Sequence, residues 1–319
     1  MKKLSVLFKQ VLRVAFTPPP AIRAAAAVAL LALGLAAPAA HAALNVVATT
    51  SDVAALAKTV GGDDVTIITL ARPTEDPHFV DARPSFLRHL SRADLLIEGG
   101  ADLEAGWLPP LVNNARNRKI LSGAAGRFLA AEHVRLRDIP ATLDRSQGDV
   151  HAHGNPHFLL DPANAALVAN ALAEKLAALD PAKAAAHRAR AKKFSATLDG
   201  KRAEWNRRLV PFRGAGVVTY HRSFDYFLAA FHLNLSGTIE PKPGIEPSAS
   251  HLVALTAQMK REKVRLILTE PNRPIRTCTR VAAQSGAKLV RAPLMPLNDD
   301  YLAFIEAIVT GVESALRPE

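Results

Sequence analysis

Short apolar runs alternate with stretches of helical spacing along residues 44–100. The run Leu44–Ala48 predicts a strand, and VAALAKTV predicts a helix that begins near Ser51 and ends at Gly61-Gly62. DVTIITL and DLLIEGG predict two further strands, which flank FLRHLSRA, a stretch with helical spacing. Strands that alternate with helices are typical of an α/β unit with a parallel sheet.

The pattern changes between residues 163 and 208. This segment is rich in Ala, Lys, Arg and Leu, and its apolar positions recur every three or four residues. Asp180-Pro181 interrupts it. We therefore predict a helix, a break, and then a long helix of about 28 residues from Pro181 to Arg208.

The α/β alternation returns after residue 210. AGVVTYH, VRLILTE and KLVRAPL predict strands, whereas SFDYFLAAFHL, SASHLVALTAQMKREK, RTCTRVAAQSG and DYLAFIEAIVTGVESAL predict helices. We expect an α/β protein of two lobes, each with a mainly parallel sheet flanked by helices, joined by one long rigid helix. The expected segments are an N-terminal lobe over 43–180, the linking helix over 181–210 and a C-terminal lobe over 211–319.

The first 42 residues predict an export signal. MKKLSVLFKQVLRVAFTPPPAIR is basic and contains no acidic residue, and AAAAVALLALGLAAPAA is apolar. That apolar run is shorter than the roughly 20 residues of a membrane-spanning helix. Ala40-His41-Ala42 matches a small-x-small cleavage site. We interpret residues 1–42 as a secretory signal peptide, with a membrane anchor as the alternative.

Charge and cysteine content narrow the class of protein. The formal net charge is +11, but five basic residues lie in the leader, so residues 43–319 carry +6. No basic cluster interleaved with aromatic residues is present, and we expect no binding to nucleic acid. Cys278 is the only cysteine, which excludes an internal disulfide and a cysteine-linked lipid anchor. We expect a monomer, free in a bacterial periplasm.

Three histidines stand beyond predicted strands or in the loop that ends a lobe: His78, His157 and His221. Ligands of open α/β sheets bind outside the carboxyl ends of the strands. Three neutral imidazoles that converge there would suit Zn²⁺, which prefers nitrogen and sulfur donors. Separations of 79 and 64 residues form no local metal motif. The alternative is that each histidine independently caps a loop or a helix.

Four stretches resemble the zinc/manganese-binding solute-binding proteins of bacterial ABC importers. They are TEDPHFVDARPSFLRHLSRADLLIEGGADLEAGWL, NPHFLLDPANA, VVTYHRSFDYFLAAFHL and LILTEPNRP, in the family's order. The resemblance implies His78, His157 and His221 as metal ligands, and a third histidine is usually associated with zinc. It also implies a receptor that captures Zn²⁺, or Mn²⁺, between two stiff lobes and delivers the ion to a membrane permease.

The fourth ligand departs from this resemblance. The family often has Asp in a Leu-Asp-Pro-Leu pattern where this chain has Met295, and a thioether is a poor ligand for Zn²⁺. We predict Glu270, at a strand end, as the fourth ligand; its alternative is an outer acceptor that orients an imidazole. Asp299 or Asp300, Glu75 and a water molecule are further candidates. Either aspartate would equally suit the N-cap of the last helix.

Two more histidines, His151 and His153, precede His157 in the loop SQGDVHAHGN. Zinc-type members of the resembled family often carry a long His- and acid-rich loop here, and this chain has only a short one. We expect either a transient, low-affinity metal collector or an ordinary solvated loop.

Two other functions stay open beside the receptor. Three histidines and a water also form a catalytic zinc site, as in a hydrolase or hydratase. The chain has no HExxH, no GxSxG and no obvious general base, so we expect a protein that is not an enzyme. A metal-binding adhesin or chaperone of the same fold is the other alternative, because docking surfaces leave no sequence motif.

Overall fold

The computed structural model describes residues 42–140 and 151–318. The predicted signal peptide therefore falls, apart from its last residue, outside the described residues. Within the described ranges, no helix has both the length and the apolar character that crossing a membrane requires. The lobe boundaries expected at residues 180 and 210 stay predictions.

The first half of the fold is a parallel four-stranded sheet with strand order β2-β1-β3-β4. The register places Val46 opposite Ile67 on one side and Leu95 on the other. Three helices accompany this sheet along the chain. The elements are β1 Leu44–Ala48, α1 Ser51–Gly61, β2 Val65–Thr69, α2 Pro84–Arg92, β3 Leu95–Glu98, α3 Leu108–Asn114 and β4 Arg127–Leu129.

The second half repeats this topology, with strand order β6-β5-β7-β8 and all pairs parallel. In each sheet the first strand in sequence lies between the second and the third. The elements are β5 Gly216–Thr219, α6 Asp225–Ala230, β6 Asn234–Thr238, α7 Ala249–Arg261, β7 Leu266–Thr269, α8 Ile275–Ser285, β8 Lys288–Arg291 and α9 Tyr301–Leu316.

Two helices connect the sheets in sequence, α4 (Pro162–Leu179) and α5 (Ala184–Leu209). Asp161 caps α4 by accepting a hydrogen bond from the amide of Ala163 at 2.8 Å, and Pro162 occupies the first helical position. A 3₁₀ turn over Pro181–Lys183 replaces the first turn predicted for the long helix. The α/β architecture with a long helix between two parallel sheets is confirmed, and α5 has 26 residues.

One hydrophobic core runs through both halves. It includes Val46 and Ile97 from the first sheet, Leu266 from the second, and Trp205 of α5. A separate cluster around Phe86 packs on the other face of the first sheet, and another around Met259 and Cys278 packs on the other face of the second. Each sheet is thus buried on both faces, as parallel sheets require. The core that covers one face of each sheet also contains residues of α5.

Hydrogen bonds near both ends of α5 join it to neighbouring parts of the chain. Near its start, Arg190 donates to the carbonyl oxygens of Val60 and Gly61, both at 2.7 Å. Near its end, the fully buried Trp205 donates from Nε1 to Glu306 of α9 at 2.8 Å. The helix therefore contacts the end of the first α/β turn and the last helix of the chain.

Three short elements were not predicted: α3, β4 and β6. The strand β4 has only three residues, and β6 has the sequence NLSGT, whose Asn, Ser and Gly have low strand propensity. Both are edge strands. Their conformation depends on pairing with a central neighbour, which a local sequence pattern does not reveal.

The contact between α5 and α9 gives a testable prediction. Burial alone would raise the pKa of Glu306, but hydrogen bonds from Arg208, Trp205 and Thr310 outweigh it and lower the pKa to about 2. We expect Glu306→Gln to reduce the unfolding free energy by about 1–3 kcal/mol at pH 7. Because the carboxylate stabilises the fold above the ordinary glutamate pKa, this deficit should shrink as the pH falls from 4.5 towards 2.

Denaturant unfolding from pH 7 to pH 2 measures this effect. Glu174→Gln is the control, since Glu174 pairs with Arg188 in full contact with solvent and its loss should change stability little. A Glu306→Gln deficit that stays constant with pH would show that the charge of Glu306 does not stabilise the contact.

Candidate metal site

The three histidines singled out in the sequence are delivered by three different loops. His78 lies in the loop between β2 and α2, and His221 lies two residues beyond the end of β5. His157 precedes a 3₁₀ turn over Phe158–Leu160, which leads into α4. Two of the loops thus begin at the carboxyl ends of parallel strands, where α/β proteins bind ligands.

The structure brings His78, His157 and His221 together. One ring nitrogen from each lies within 4.8 Å of one from each of the other two. The ring centroids are 5.1 Å apart for His78–His157, 5.9 Å for His78–His221 and 5.8 Å for His157–His221. The rings meet edge to face at 67°, 78° and 87°, so their nitrogens converge while their flat faces do not stack.

Two carboxylates orient two of these rings. Asp76 lies 2.7 Å from Nδ1 of His78, and Glu240 lies 2.9 Å from Nδ1 of His221. Burial would raise the pKa of Asp76, but the hydrogen bond from His78 and the charges nearby lower it to about 2. An ionised acceptor at Nδ1 keeps the proton there and leaves the Nε2 lone pair free for a cation.

The third ring, His157, is held differently. Its backbone amide donates to the side chain of Asn155 at 3.0 Å, and Asn155 in turn donates to the carbonyl of Arg222, beside His221, at 2.8 Å. The side-chain atom Nε2 of His157 is buried and has no hydrogen-bond partner among the described residues. Burial, with the neighbouring imidazoles, lowers the pKa of His157 well below its ordinary value, so the ring is neutral at pH 7.

A buried nitrogen without a partner costs free energy, and a cation at the centre of the three rings would satisfy it. Neutral imidazole is also the form that binds a metal. The donor set, its geometry and its protonation therefore fit a divalent cation that prefers nitrogen.

Glu270 is not part of the described cluster of converging donors. It is fully buried directly after β7, where it accepts a hydrogen bond from Ser223 and lies 3.8 Å from the guanidinium of Arg273. Burial raises the pKa of Glu270, and Arg273 and Ser223 oppose that rise. Its role as the fourth ligand stays a prediction.

The other candidate ligands have separate roles in the structure. Asp300 caps α9 by accepting from the amide of Ala303 at 3.0 Å, and Asp299 is exposed. Glu75 pairs with Arg83. Met295 is 2% exposed and lines a small cavity that His157 also lines, so an apolar side chain stands beside the imidazoles there.

His151 lies against His78, although it is not part of the described cluster of three converging donors. Its Nε2 is 3.0 Å from Nε2 of His78, and burial with nearby histidines lowers its pKa to about 4. His153 is mostly exposed and pairs with Asp102 at 2.9 Å. Residues 141–150 of the same loop lie outside the described residues.

Two cavities open at the cluster, with volumes of about 320 Å³ and 260 Å³. His151, His221 and Pro243 line both. His151 therefore stands at the boundary between two openings to the three histidines.

Asp76, Glu240, Asn155 and the proximity of His151 were missing from the sequence analysis. Asp76 had a local signal, because an aspartate two residues before a histidine can accept from its backbone amide, as it does here at 3.1 Å. Glu240 had none, since it follows β6, a strand that was not predicted.

The chain belongs to the family described as zinc-uptake complex component A, periplasmic, whose model matches residues 46–315. This family membership agrees with the resemblance found in the sequence. The family's description is that of a periplasmic component of an uptake complex, which is a binding role and not an enzymatic one.

Individual relatives share about a quarter of their aligned residues with this chain. The chain is 26% identical to the high-affinity zinc uptake system protein ZnuA of Yersinia pestis over 267 residues, 76% of this chain and 81% of that protein. It is 26% identical to the manganese ABC transporter substrate-binding lipoprotein PsaA of Streptococcus anginosus over 242 residues, 73% of this chain and 75% of that protein.

Among solved structures, a zinc-bound deletion mutant of ZnuA superposes with a TM-score of 0.72 at 23% identity, covering 87% of this chain and 99% of that one. At this identity the likeness shows the fold.

The unpartnered nitrogen of His157 gives a second prediction. We expect His157→Leu, which removes that atom, to leave the unfolding free energy of the metal-free protein unchanged or raised by up to about 2 kcal/mol. The unfolded chain takes up a proton on His157 below pH about 6.5 while the folded protein holds the ring neutral, so acid destabilises the fold. The variant should therefore lose stability less steeply between pH 6.5 and 5.

Denaturant unfolding in the presence of a chelator measures both quantities. His232→Asn is the control, because His232 is exposed and its φ of 57° is one that Asn tolerates. A loss of more than about 2 kcal/mol in His157→Leu would contradict an imidazole without a stabilising contact.

Proposed function

We propose that this protein is a periplasmic solute-binding protein that captures Zn²⁺ through His78, His157 and His221 and delivers it to the membrane permease of an ABC importer. The convergence of three imidazole nitrogens within 4.8 Å of one another is the observation that supports it best. The zinc is cargo in this proposal.

The donor chemistry favours zinc over manganese. Among the described residues, the converging donors are three imidazoles without a carboxylate. Zn²⁺ binds nitrogen donors well, whereas Mn²⁺ prefers oxygen. Relatives named for zinc and for manganese both exist, so Mn²⁺ is the competing cargo that the experiment must test.

A receptor fits the carboxylates around the site better than an enzyme does. Asp76 and Glu240 each face the Nδ1 atom of a histidine, and Glu270 faces Ser223 and Arg273. A general base must reach a bound water or substrate. Each of these three carboxylates instead forms a hydrogen bond or an ion pair with another side chain of the same protein.

The shared core supports stiff lobes and a small movement on release of the ion. We propose lobes over 43–180 and 211–319 with the linking helix over 181–210. The helix α5 is hydrogen-bonded near its start to Val60 and near its end to Glu306. A wide hinge motion would have to break these buried contacts.

We further propose that residues 1–42 are a cleaved signal peptide and that the mature protein is a monomer, free in the periplasm, that does not bind nucleic acid. Several relatives are named lipoproteins. The single cysteine of this chain, Cys278, is buried in the second half, which leaves no thiol near residue 43 for a lipid.

Zinc titration of the purified protein tests the central proposal. We expect one tightly bound Zn²⁺ per chain, not displaced by excess Mn²⁺, and a loss of tight binding in His157→Ala. Competition with a chromophoric chelator measures the affinity. His232→Asn removes an exposed imidazole and should bind zinc like the wild type.

Two results would overturn the proposal. An affinity that His157→Ala leaves unchanged would place any bound zinc elsewhere on the protein. Displacement of the zinc by stoichiometric Mn²⁺ would make manganese the cargo.

Glu240 supplies a further prediction, since it accepts from both His221 and the amide of Gly244 at 2.9 Å. Glu240→Gln keeps the shape and an acceptor oxygen but removes the charge. We expect zinc affinity to fall about 10-fold, as for other residues that orient a liganding histidine. Glu262→Gln, at the exposed C-terminal end of α7, should bind zinc normally in the same titration; equal affinities for the two variants would remove Glu240 from the site.

A further inference from the structure

The segment His151–Gly154 brings His151 against His78, one of the three converging histidines. The Nε2 atoms of His151 and His78 are 3.0 Å apart, and their ring centroids are 5.0 Å apart. His151 thus contacts a predicted ligand from the connection that also carries His157, six residues further along the chain.

Contacts on both sides fix this segment. Asp102, in a left-handed conformation with φ of 65°, accepts from the amide of Ala152 at 3.1 Å and lies 2.9 Å from Nδ1 of His153. At the other side, the amide of Asn155 donates to the carbonyl of Arg137 at 2.8 Å.

Gly154 makes the second of these anchors possible. Its φ is 112°, and a Cβ at this position would lie 2.6 Å from the carbonyl oxygen of Arg137. Only glycine allows that approach without displacement. The position of His151 is therefore set by the protein on both sides and does not depend on a chance contact with His78.

The pairing of His151 with His78 has a definite proton arrangement. Nδ1 of His78 faces the carboxylate of Asp76 at 2.7 Å, so the proton lies on Nδ1 and Nε2 carries a lone pair. Without a cation, Nε2 of His151 must donate to that lone pair. With a cation, His151 can move its proton to Nδ1 and turn the Nε2 lone pair to the metal.

The distance between the two nitrogens suits this exchange. In a tetrahedral site with Zn–N bonds of 2.0–2.1 Å, neighbouring nitrogens lie about 3.3 Å apart. The observed 3.0 Å needs to grow by only a few tenths of an ångström. The buried Nε2 of His157, which lacks a partner among the described residues, faces the same centre.

We propose that His151 is the fourth ligand of the cation held by His78, His157 and His221, which makes the site an all-imidazole one. This inference rests on the proposed function. The carboxylate of Glu270 is engaged by Ser223 and Arg273, and Met295 supplies no hard donor, so His151 takes the coordination position that a carboxylate would otherwise fill.

Charge balance supports four neutral ligands. The two charges of the cation are matched by the carboxylates of Asp76 and Glu240, each one imidazole away from the metal. Arg273 lies 3.4 Å from Asp76 and 3.8 Å from Glu270, so the carboxylate of Glu270 offsets the charge of this guanidinium. The four-nitrogen set also strengthens the preference for Zn²⁺ over Mn²⁺.

Nitrogen NMR of the full chain with ¹⁵N-labelled histidine side chains tests the proposal directly. On addition of one equivalent of Zn²⁺, we expect four Nε2 resonances to shift to metal-bound positions in the wild type and three in His151→Ala. His151 should change from the Nε2–H to the Nδ1–H tautomer. Zinc affinity should fall about 100-fold in His151→Ala.

Two further variants separate the possible outcomes. His232→Asn, which removes an exposed imidazole outside the site and its anchors, should keep four metal-bound resonances and near wild-type affinity. Three resonances in the wild type, with unchanged affinity in His151→Ala, would overturn the fourth-ligand inference and leave the receptor intact. A fall in affinity in Glu270→Gln with no change in His151→Ala would assign the position to the carboxylate.

Failure of the proposed function itself would be seen in His157→Ala, and not in His151→Ala. If His157→Ala retains tight zinc, the receptor site itself is wrong, whatever His151→Ala shows. Circular dichroism of each metal-free variant distinguishes loss of a ligand from loss of the fold.

Discussion

The packing of α5 against α1 of the first half and α9 of the second is the constraint on which the site depends. A cluster of ring nitrogens within 4.8 Å tolerates displacements of only a few tenths of an ångström before metal-like geometry is lost. The three rings come from loops that are far apart in sequence, so only the tertiary structure can hold them. One continuous core, which includes Trp205, fixes one sheet relative to the other together with the hydrogen bond from Arg190 to Val60, and so fixes those loops.

Much of the architecture could be predicted because its main signals are local. Central strands such as β1 and β7 are continuous apolar runs, and α5 has a long helical period broken only at Asp180-Pro181. The edge strands β4 and β6 could not be predicted, because their residues adopt strand conformation only through hydrogen bonds to a neighbour.

The residues of the candidate site likewise fall into two groups: those with a local sequence signal and those that only tertiary contacts bring to the site. His78 and His221 could be singled out because each follows a recognisable strand, and His157 because it lies in the loop that ends the first lobe; the family resemblance then supported all three. Glu240 was missed together with β6. His151 was considered as a transient metal collector or as part of a solvated loop, and not as a ligand, since its place beside His78 depends on Asp102 and on the approach of Gly154 to Arg137. These contacts join residues about 15 to 75 positions apart, beyond any helical or strand period.

The spread of the three imidazoles along the chain has a mechanical consequence. A cation bound to residues 78, 157 and 221, as proposed, would close two large loops of polypeptide and act as a removable cross-link between the halves of the protein. Ligand binding of this kind adds to the stability of the folded state by mass action. The loaded and the emptied protein would then differ in resistance to proteolysis, so that turnover in the cell would fall first on molecules that have given up their ion.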